Sequence, residues 1–446
     1  MATSTRRMSA LLVILLQASF PLVALSQQAS GGSPSVLHLT LKEAVQLALK
    51  QNPQRIIAKL LVLESDRNSQ IARSALLPQA GIAADGSVRQ YNLQSIEYFP
   101  EPKAAGPFSY IEAGPSFSQT LLNLPLIRSY QIGQEGKKEA RADERTTREI
   151  VVTAVVDQYL LVLRALATRD AAHSRVVLAQ RLYDQAADLQ KTGVGLNIDT
   201  VRANVELQNE SQNLIDAETQ THTTKYVLAE LLDLPHEQDL EVTDKLNFFD
   251  IPKFEREALV EQALSSRPEI LSISSQSRIA KLSTDSAREQ RLPQLGFSGF
   301  WFYQGAHFNN GIPAYAYIFT LDFPLFTGGR IHAQVANGKL EEQRVGEERR
   351  ALEDRIVREV KSAFDELAAA RKAVDVANLG FNLAEEEVAQ AERRFRAGVT
   401  TNIEVITAQD NLSRASDNQI GAVYQFNLSR AALARATGNI ESMYSK

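Results

Sequence analysis

Two tracts of this chain contain no proline, and their length limits the possible folds more than any other feature. All 15 prolines lie at or before Pro125 or between Pro235 and Pro324, which leaves 126–234 and 325–446 free of them. Proline costs about 3 kcal/mol inside a helix, so tracts this long, rich in Ala, Leu, Glu, Gln and Arg, predict very long helices. Each tract has one obvious break, Gly193-Val194-Gly195 in the first and Gly398 in the second. Helices are expected over about 126–192, 197–232, 325–396 and 402–437.

Within the second tract, Val360, Ala363, Leu367, Ala370, Val374, Ala377, Phe381, Ala384, Val388, Ala391 and Phe395 follow one another at alternating spacings of three and four. Such a 3.5-residue repeat is the mark of a left-handed coiled coil. One seam position carries large apolar residues and the other is always alanine, so the helix axes approach closely.

The chain is also an internal repeat. Leu77-Pro78-Gln79 follows Ala48-Leu49 and Pro53 just as Leu292-Pro293-Gln294 follows Ala263-Leu264 and Pro268, at an offset of 215. Ala165, Ala172, Ala179 and Ala186 match Ala370, Ala377, Ala384 and Ala391 at 205, and Gly193 with Asn197-Ile198-Asp199 matches Gly398 with Asn402-Ile403-Glu404. The boundaries read as a first repeat over 38–235, a linker over 236–252, a second repeat over 253–438 and a C-terminal tail over 439–446.

Each half holds a proline-bounded strand region, about 79–122 and 293–323. Ile111, Ala113, Pro115, Phe117 and Leu121 alternate with Glu112, Ser116, Ser118 and Thr120, and Tyr315, Tyr317, Phe319, Leu321 and Phe323 alternate with Thr320 and Asp322. Partner strands are expected near 80–91 and 294–304. One greasy aromatic face and one polar face suit transmembrane barrel strands; a half-buried hairpin in a soluble sandwich is the competing reading. Four strands have two open edges, and a bilayer has no water to satisfy them, so copies must join. Eight strands give a filled barrel and twelve leave a lumen, making a trimer the smallest conducting assembly. A helix of nearly seventy residues reaches roughly 100 Å, far beyond a membrane, and must project into the periplasm.

Arg6 and Arg7, the apolar run Leu11–Leu16 and Ala24-Leu25-Ser26 read as a secretory signal over 1–26, followed by a flexible stretch over 27–37. No later window reads as long and apolar enough for a transmembrane helix. With no cysteine, disulfides, thiolate metal sites and cysteine-linked lipid are excluded. The formal charge of −5, with both signs dispersed, argues against nucleic acid.

Leu39-Thr40-Leu41-Lys42-Glu43-Ala44 running to Asn52-Pro53, the two Leu-Pro-Gln motifs, Phe323-Pro324-Leu325-Phe326-Thr327-Gly328-Gly329-Arg330 and Ala397-Gly398-Val399 with Asn402-Ile403-Glu404-Val405 resemble TolC-like outer membrane efflux proteins. The resemblance spans about 38–438. It implies a mainly α chain with membrane β, in a homotrimer with a twelve-stranded β-barrel in the outer membrane and a periplasmic α-helical barrel. The implied function is a passive exit duct for efflux or type I secretion, neither an enzyme nor a cofactor protein, touching outer membrane lipid and joined by a periplasmic adaptor to an inner-membrane pump.

The resemblance also implies that Gly193, Val194, Gly195, Leu196, Gly398, Val399, Thr400 and Thr401 form the periplasmic tip that meets the adaptor. By position Asp199, Glu404, Phe395 and Thr407 fall near the constriction of such channels. A plainer account of the acids is that, with Asn197 or Asn402 as N-cap, each complements a helix dipole. Thr400, Thr407 and Phe395 stand where some relatives carry an arginine, an aspartate and a tyrosine. A periplasmic coiled-coil adaptor is the second functional reading, but it leaves the aromatic alternation unexplained. An enzyme is the third; His38, His173, His222, His236, His307 and His332 are scattered and form no catalytic motif.

Overall fold

The computed structural model describes residues 36–96, 102–249, 255–307 and 309–445. The expected signal and most of 27–37 lie outside the described residues. The elements run β1 Leu37–Leu39, α1 Leu41–Gln51, α2 Pro53–Ser74, β2 Gln79–Asn92, β3 Ala104–Leu122, α3 Leu124–Lys191 and α4 Asn197–Leu231. The second half gives β4 Leu240–Val242, α5 Arg256–Ser266, α6 Pro268–Glu289, β5 Gln294–Gly305, β6 Ile312–Asp322, α7 Arg330–Arg396, α8 Asn402–Ala436 and α9 Ile440–Tyr444.

Local chemistry sets the helix starts. Thr40 and Glu43 form a reciprocal capping box ahead of α1. The Asn52 side chain accepts from Gln54 N and Arg55 N while Pro53 supplies a first position that needs no N–H. Asn123 accepts from Leu126 N at 3.1 Å, and Pro125 is tolerated in the first turn, so α3 begins at Leu124, two residues before the expected start at 126. α7 begins five residues later than position 325, because Gly328 and Gly329 take left-handed φ values of 59° and 83° and hold the chain out of helix until Arg330.

The long helices fold back as two hairpins, α3 with α4 and α7 with α8, and α2 and α6 flank them so that the upper half is layered α2, α3, α6, α7. The predicted seam of α7 is buried except at Ala377 and Phe381, which are half-buried, and Phe381 lines a cavity of about 400 Å³ bounded by all four hairpin helices. Ala165, Ala172, Ala179 and Ala186 are all buried on α3. An 18-residue stretch of α3 does have the length and apolarity of a membrane span, contrary to the sequence-based expectation. Its residues Val151, Val152, Val155, Val156, Tyr159, Leu160, Val162 and Leu163 instead build the mid-body core with α1, Leu228 and Leu232, Ala431 and Ile440. Water is excluded there by packing, which explains the composition without a bilayer.

Both ends of the described residues carry secondary structure. The segment 439–446 holds α9, whose Ile440 is fully buried in that core, so it is not a free tail. The stretch 27–37 ends in β1, which pairs in parallel with β4 inside the expected 236–252 linker. Helices α4 and α8 both end in a left-handed residue, Asp233 (φ 50°) and Gly438 (φ 72°), at the repeat offset of 205. Asp233 lacks glycine's freedom there, so Asp233→Gly is expected to stabilise the fold by about 0.5–1 kcal/mol, seen as a raised thermal midpoint.

Candidate functional site

Exposed apolar residues gather in two places, on a four-stranded sheet and at a pair of helical tips. The sheet is antiparallel with order β2-β3-β5-β6, leaving β2 and β6 as open edges. Register places Ala80, Ile82 and Val88, Ala113, Pro115 and Phe117, Phe297, Trp301 and Tyr303, and Tyr315, Tyr317, Phe319 and Leu321 on one face. Most of its large residues are exposed, among them Trp301, Tyr315, Phe319 and Leu321. An apolar surface of this kind calls for a non-aqueous solvent. Phe297 stacks on Phe319 at 4.6 Å and meets Phe117 edge-on at 5.3 Å, so cross-strand ring pairs fix the register.

The opposite face carries Asp85, Ser87, Arg89, Tyr110, Glu112, Ser116, Ser118, Gln304 and Thr320. Tyr110 Oη donates to Glu112 at 2.7 Å, Gln304 Nε2 donates to the same carboxylate at 3.0 Å, and the Arg89 guanidinium lies 4.3 Å over the Tyr110 ring. Phe300 and Phe302 break this polarity as a stacked pair. A sheet greasy on one side and hydrated on the other is a section of pore wall. Three copies joined edge to edge, β6 antiparallel to the next β2, close it with twelve strands.

At the far end both hairpins turn by the same device. Gly193 (φ 76°) and Gly398 (φ 69°) are left-handed. Val194 N and Gly193 N donate to Leu189 O and Gln190 O; Val399 N and Gly398 N donate to Arg394 O and Phe395 O. These are paired Schellman closures, which satisfy the last helical carbonyls and push the next side chain outward. Val194, Leu196 and Val399 are accordingly exposed apolar residues at the outermost point. The turns differ at Gly195, where an added Cβ would lie 2.8 Å from Leu189 Cβ and 2.9 Å from Gln190 N, whereas its repeat counterpart is Thr400. Thr400 Oγ1 donates to Glu404, which also faces Arg394 at 3.3 Å, and Thr401 is the N-cap of α8.

The remaining predicted residues are spread around this tip. Asn197 and Asn402 are first helical residues and not N-caps, because the chain turns into helix one residue earlier than predicted, at Leu196 and Thr401. Asn402 is fully buried; its Nδ2 donates to Asp199 O at 2.9 Å and ties the two hairpins together, while its Oδ1 has no partner within the protomer. The Asp199 carboxylate is 3.8 Å from Arg202. Phe395 packs inward against Leu182, Ala186, Ala203, Val405 and Ala408, and Thr407 is exposed, with its hydroxyl turned back to Ile403 O. Among the described residues no group of three His, Asp or Glu side chains could hold a metal ion.

Sequence reading missed a chain of ion pairs at mid-height. Arg267, almost without exposure, pairs with Glu269 and Glu359, and Arg435 pairs with Glu149 and Glu269. The only linear trace is Arg267-Pro268-Glu269, the counterpart of Asn52-Pro53 in the first repeat.

The family model for "Outer membrane efflux protein" matches residues 44–233 and 259–439. The pyoverdine export outer membrane protein OpmQ of Pseudomonas putida is 23% identical over 402 residues, covering 85% of this chain and 81% of that protein. The outer membrane protein TolC of Vibrio cholerae is 22% identical over 425 residues, 92% of each chain. Among solved structures, the CmeC outer membrane channel of Campylobacter jejuni superimposes with a TM-score of 0.80 at 18% identity, covering 90% of this chain and 86% of the other. Matched on both halves of its internal repeat, the chain belongs to the outer membrane efflux protein family and is an outer-membrane channel that extends into the periplasm.

Proposed function

We propose that this channel is the passive exit duct of a three-part export assembly, in which a periplasmic adaptor bridges its tips to an inner-membrane pump. The supporting observation is the distance between the two apolar surfaces. The sheet needs lipid, and the exposed Val194, Leu196 and Val399 sit at the end of a 68-residue helix, roughly 100 Å away, where only a periplasmic partner can cover them. The duct catalyses no reaction, and energy enters from the pump. Its cargo is small toxic or metal-chelating compounds, the latter in keeping with the relative named for pyoverdine export.

Deleting the gene is expected to sensitise cells to apolar toxic compounds and to trap exported chelators inside, with both defects reversed by the intact chain. Unchanged sensitivity and unchanged export in the deletion strain would refute the reading.

A further inference from the structure

We infer that the cavity between the two hairpins is a binding site for an amphiphilic organic cation, one ammonium group on a ring-sized apolar body. It lies in an interruption of the helical core. On α7 the apolar cluster at mid-height ends at Val374, and the cluster nearer the tips resumes at Val388. The cavity of about 400 Å³ occupies the interval and is lined from α3, α4, α7 and α8. A volume of that size suits a small organic molecule. Continuous knobs-into-holes packing leaves no such space. Here Ser413 and Ser416 of α8 line it where longer apolar side chains would close it.

The lining combines an apolar floor with unmatched negative charge. Leu178, Phe381 and Leu412 supply the floor, and the Phe381 ring can also face a cation. Of the four acids, Glu210 pairs with Arg175 at 3.1 Å and Asp170 with Arg169 at 2.6 Å. Arg175 is the one cation of the lining, and Asp417 holds it a second time at 3.4 Å. Glu206 on α4 and Glu385 on α7 make no ion pair or hydrogen bond among the described residues. Burial, and after it the charges of Asp410 and Glu210, push the Glu206 carboxyl above its usual range. A partly buried acid that faces other acids lacks a countercharge. With no group of three His, Asp or Glu among the described residues placed for a metal ion, two carboxylates beside an apolar floor suit an organic ammonium.

Closing a hairpin does not require these charges. At the repeat offset of 205, Arg175, Glu206 and Glu210 become Gly380, Asn411 and Ala415, and α7 packs on α8 without them. Half-buried acids that destabilise by repulsion and are dispensable to the hairpin are explained by a ligand that neutralises them. Glu206 belongs to the first hairpin and Glu385 to the second, so one bound molecule touches both and ties them together.

The probe is 1-naphthylmethylammonium, titrated by calorimetry into the purified channel in a nonionic detergent. 1-Naphthylacetate, with the same ring and the opposite charge, is the control. Saturable binding and a raised thermal midpoint are expected with the cation and neither with the anion. The doubly substituted chain Glu206→Gln with Glu385→Gln keeps the cavity's shape and should bind the cation at least about ten-fold more weakly. Ser413→Leu keeps the charge but fills the space, and should also lose binding. Equal affinity in the parent and the double glutamine variant would overturn the site, as would equal binding of the two probes. So would the absence of saturable heat from the parent up to about 1 mM cation. None of these readouts involves export, so failure here leaves the duct reading standing.

Discussion

Replacing Glu269 by alanine is expected to lower the stability of the folded subunit by about 3–5 kcal/mol, because it strips one buried and one half-buried guanidinium group of a shared carboxylate. Glu269 accepts from Arg267 at 2.8 Å and from Arg435 at 2.8 Å. Arg267 is almost fully buried, at 6% side-chain exposure, so water cannot replace the lost partner. Arg267 keeps Glu359 and Arg435 keeps Glu149, which places the loss at one shared carboxylate rather than at the whole network. The pairs join α3 of the first repeat to α6, α7 and α8 of the second, so the effect should appear as one cooperative shift in thermal unfolding of the purified channel. A midpoint within a degree or two of the parent's would show the network to be dispensable.

The same carboxylate predicts a pH signature. Burial alone would raise its pKa, but hydrogen bonds from Arg267 and Arg435 and the charge of Arg435 bring it down to about 2 from 4.5. A pKa lowered by folding contributes stability in full above 4.5, and that contribution is lost as pH falls through 2. Glu149 runs the other way. It contacts Arg435 at 2.6 Å, yet burial outweighs that partner and Glu269 and Glu441 add repulsion, so its pKa is raised. Its ionisation therefore costs stability as pH rises through the raised value. Parent and Glu269→Ala should differ most near neutrality and converge toward pH 2.

How much of this could be read from residues alone depended on the range of the interaction. The seam from Val360 to Phe395 is written in local spacing, and a coiled coil buries what its spacing selects. The strands were readable for the same reason, since pleat alternation sets Trp301 and Tyr303 on one side whatever lies beyond them. What failed was decided by backbone detail or by distant partners. Two consecutive left-handed glycines delay α7, and neither periodicity nor composition reports their φ. Asn402 resembles an N-cap in sequence, but Thr401 turns first, so its amide faces the other hairpin. The ion pairs join positions 149, 267, 269, 359 and 435, which no window brings together. The apolar window of α3 shows the converse error, because a core stave and a membrane span share one composition and only the packing separates them.

Distorting the helical tips should abolish export while leaving the barrel in the membrane. Gly398 has a φ of 69°, which proline's fixed negative φ cannot adopt, and proline also removes the N–H that donates to Phe395 O. Gly398→Pro must therefore open the Schellman closure and move Val399. Gly195→Val does the same to the other hairpin by contact rather than by torsion, since the added Cβ would fall 2.9 Å from the Gln190 backbone nitrogen. Neither change touches the sheet or the mid-height core, so outer-membrane fractionation and native mass should match the parent. Export should fall at least about ten-fold, toward the deletion level, if recognition is lost by more than about 1.4 kcal/mol. Gly398→Ala is the control: open space surrounds the site, only the left-handed penalty of about 1–2 kcal/mol applies, and the turn persists with export largely kept. Should Gly398→Pro and Gly195→Val both export normally, the tips would not be the docking surface. The exposed Val194 and Val399 would then need another reason to stand in water.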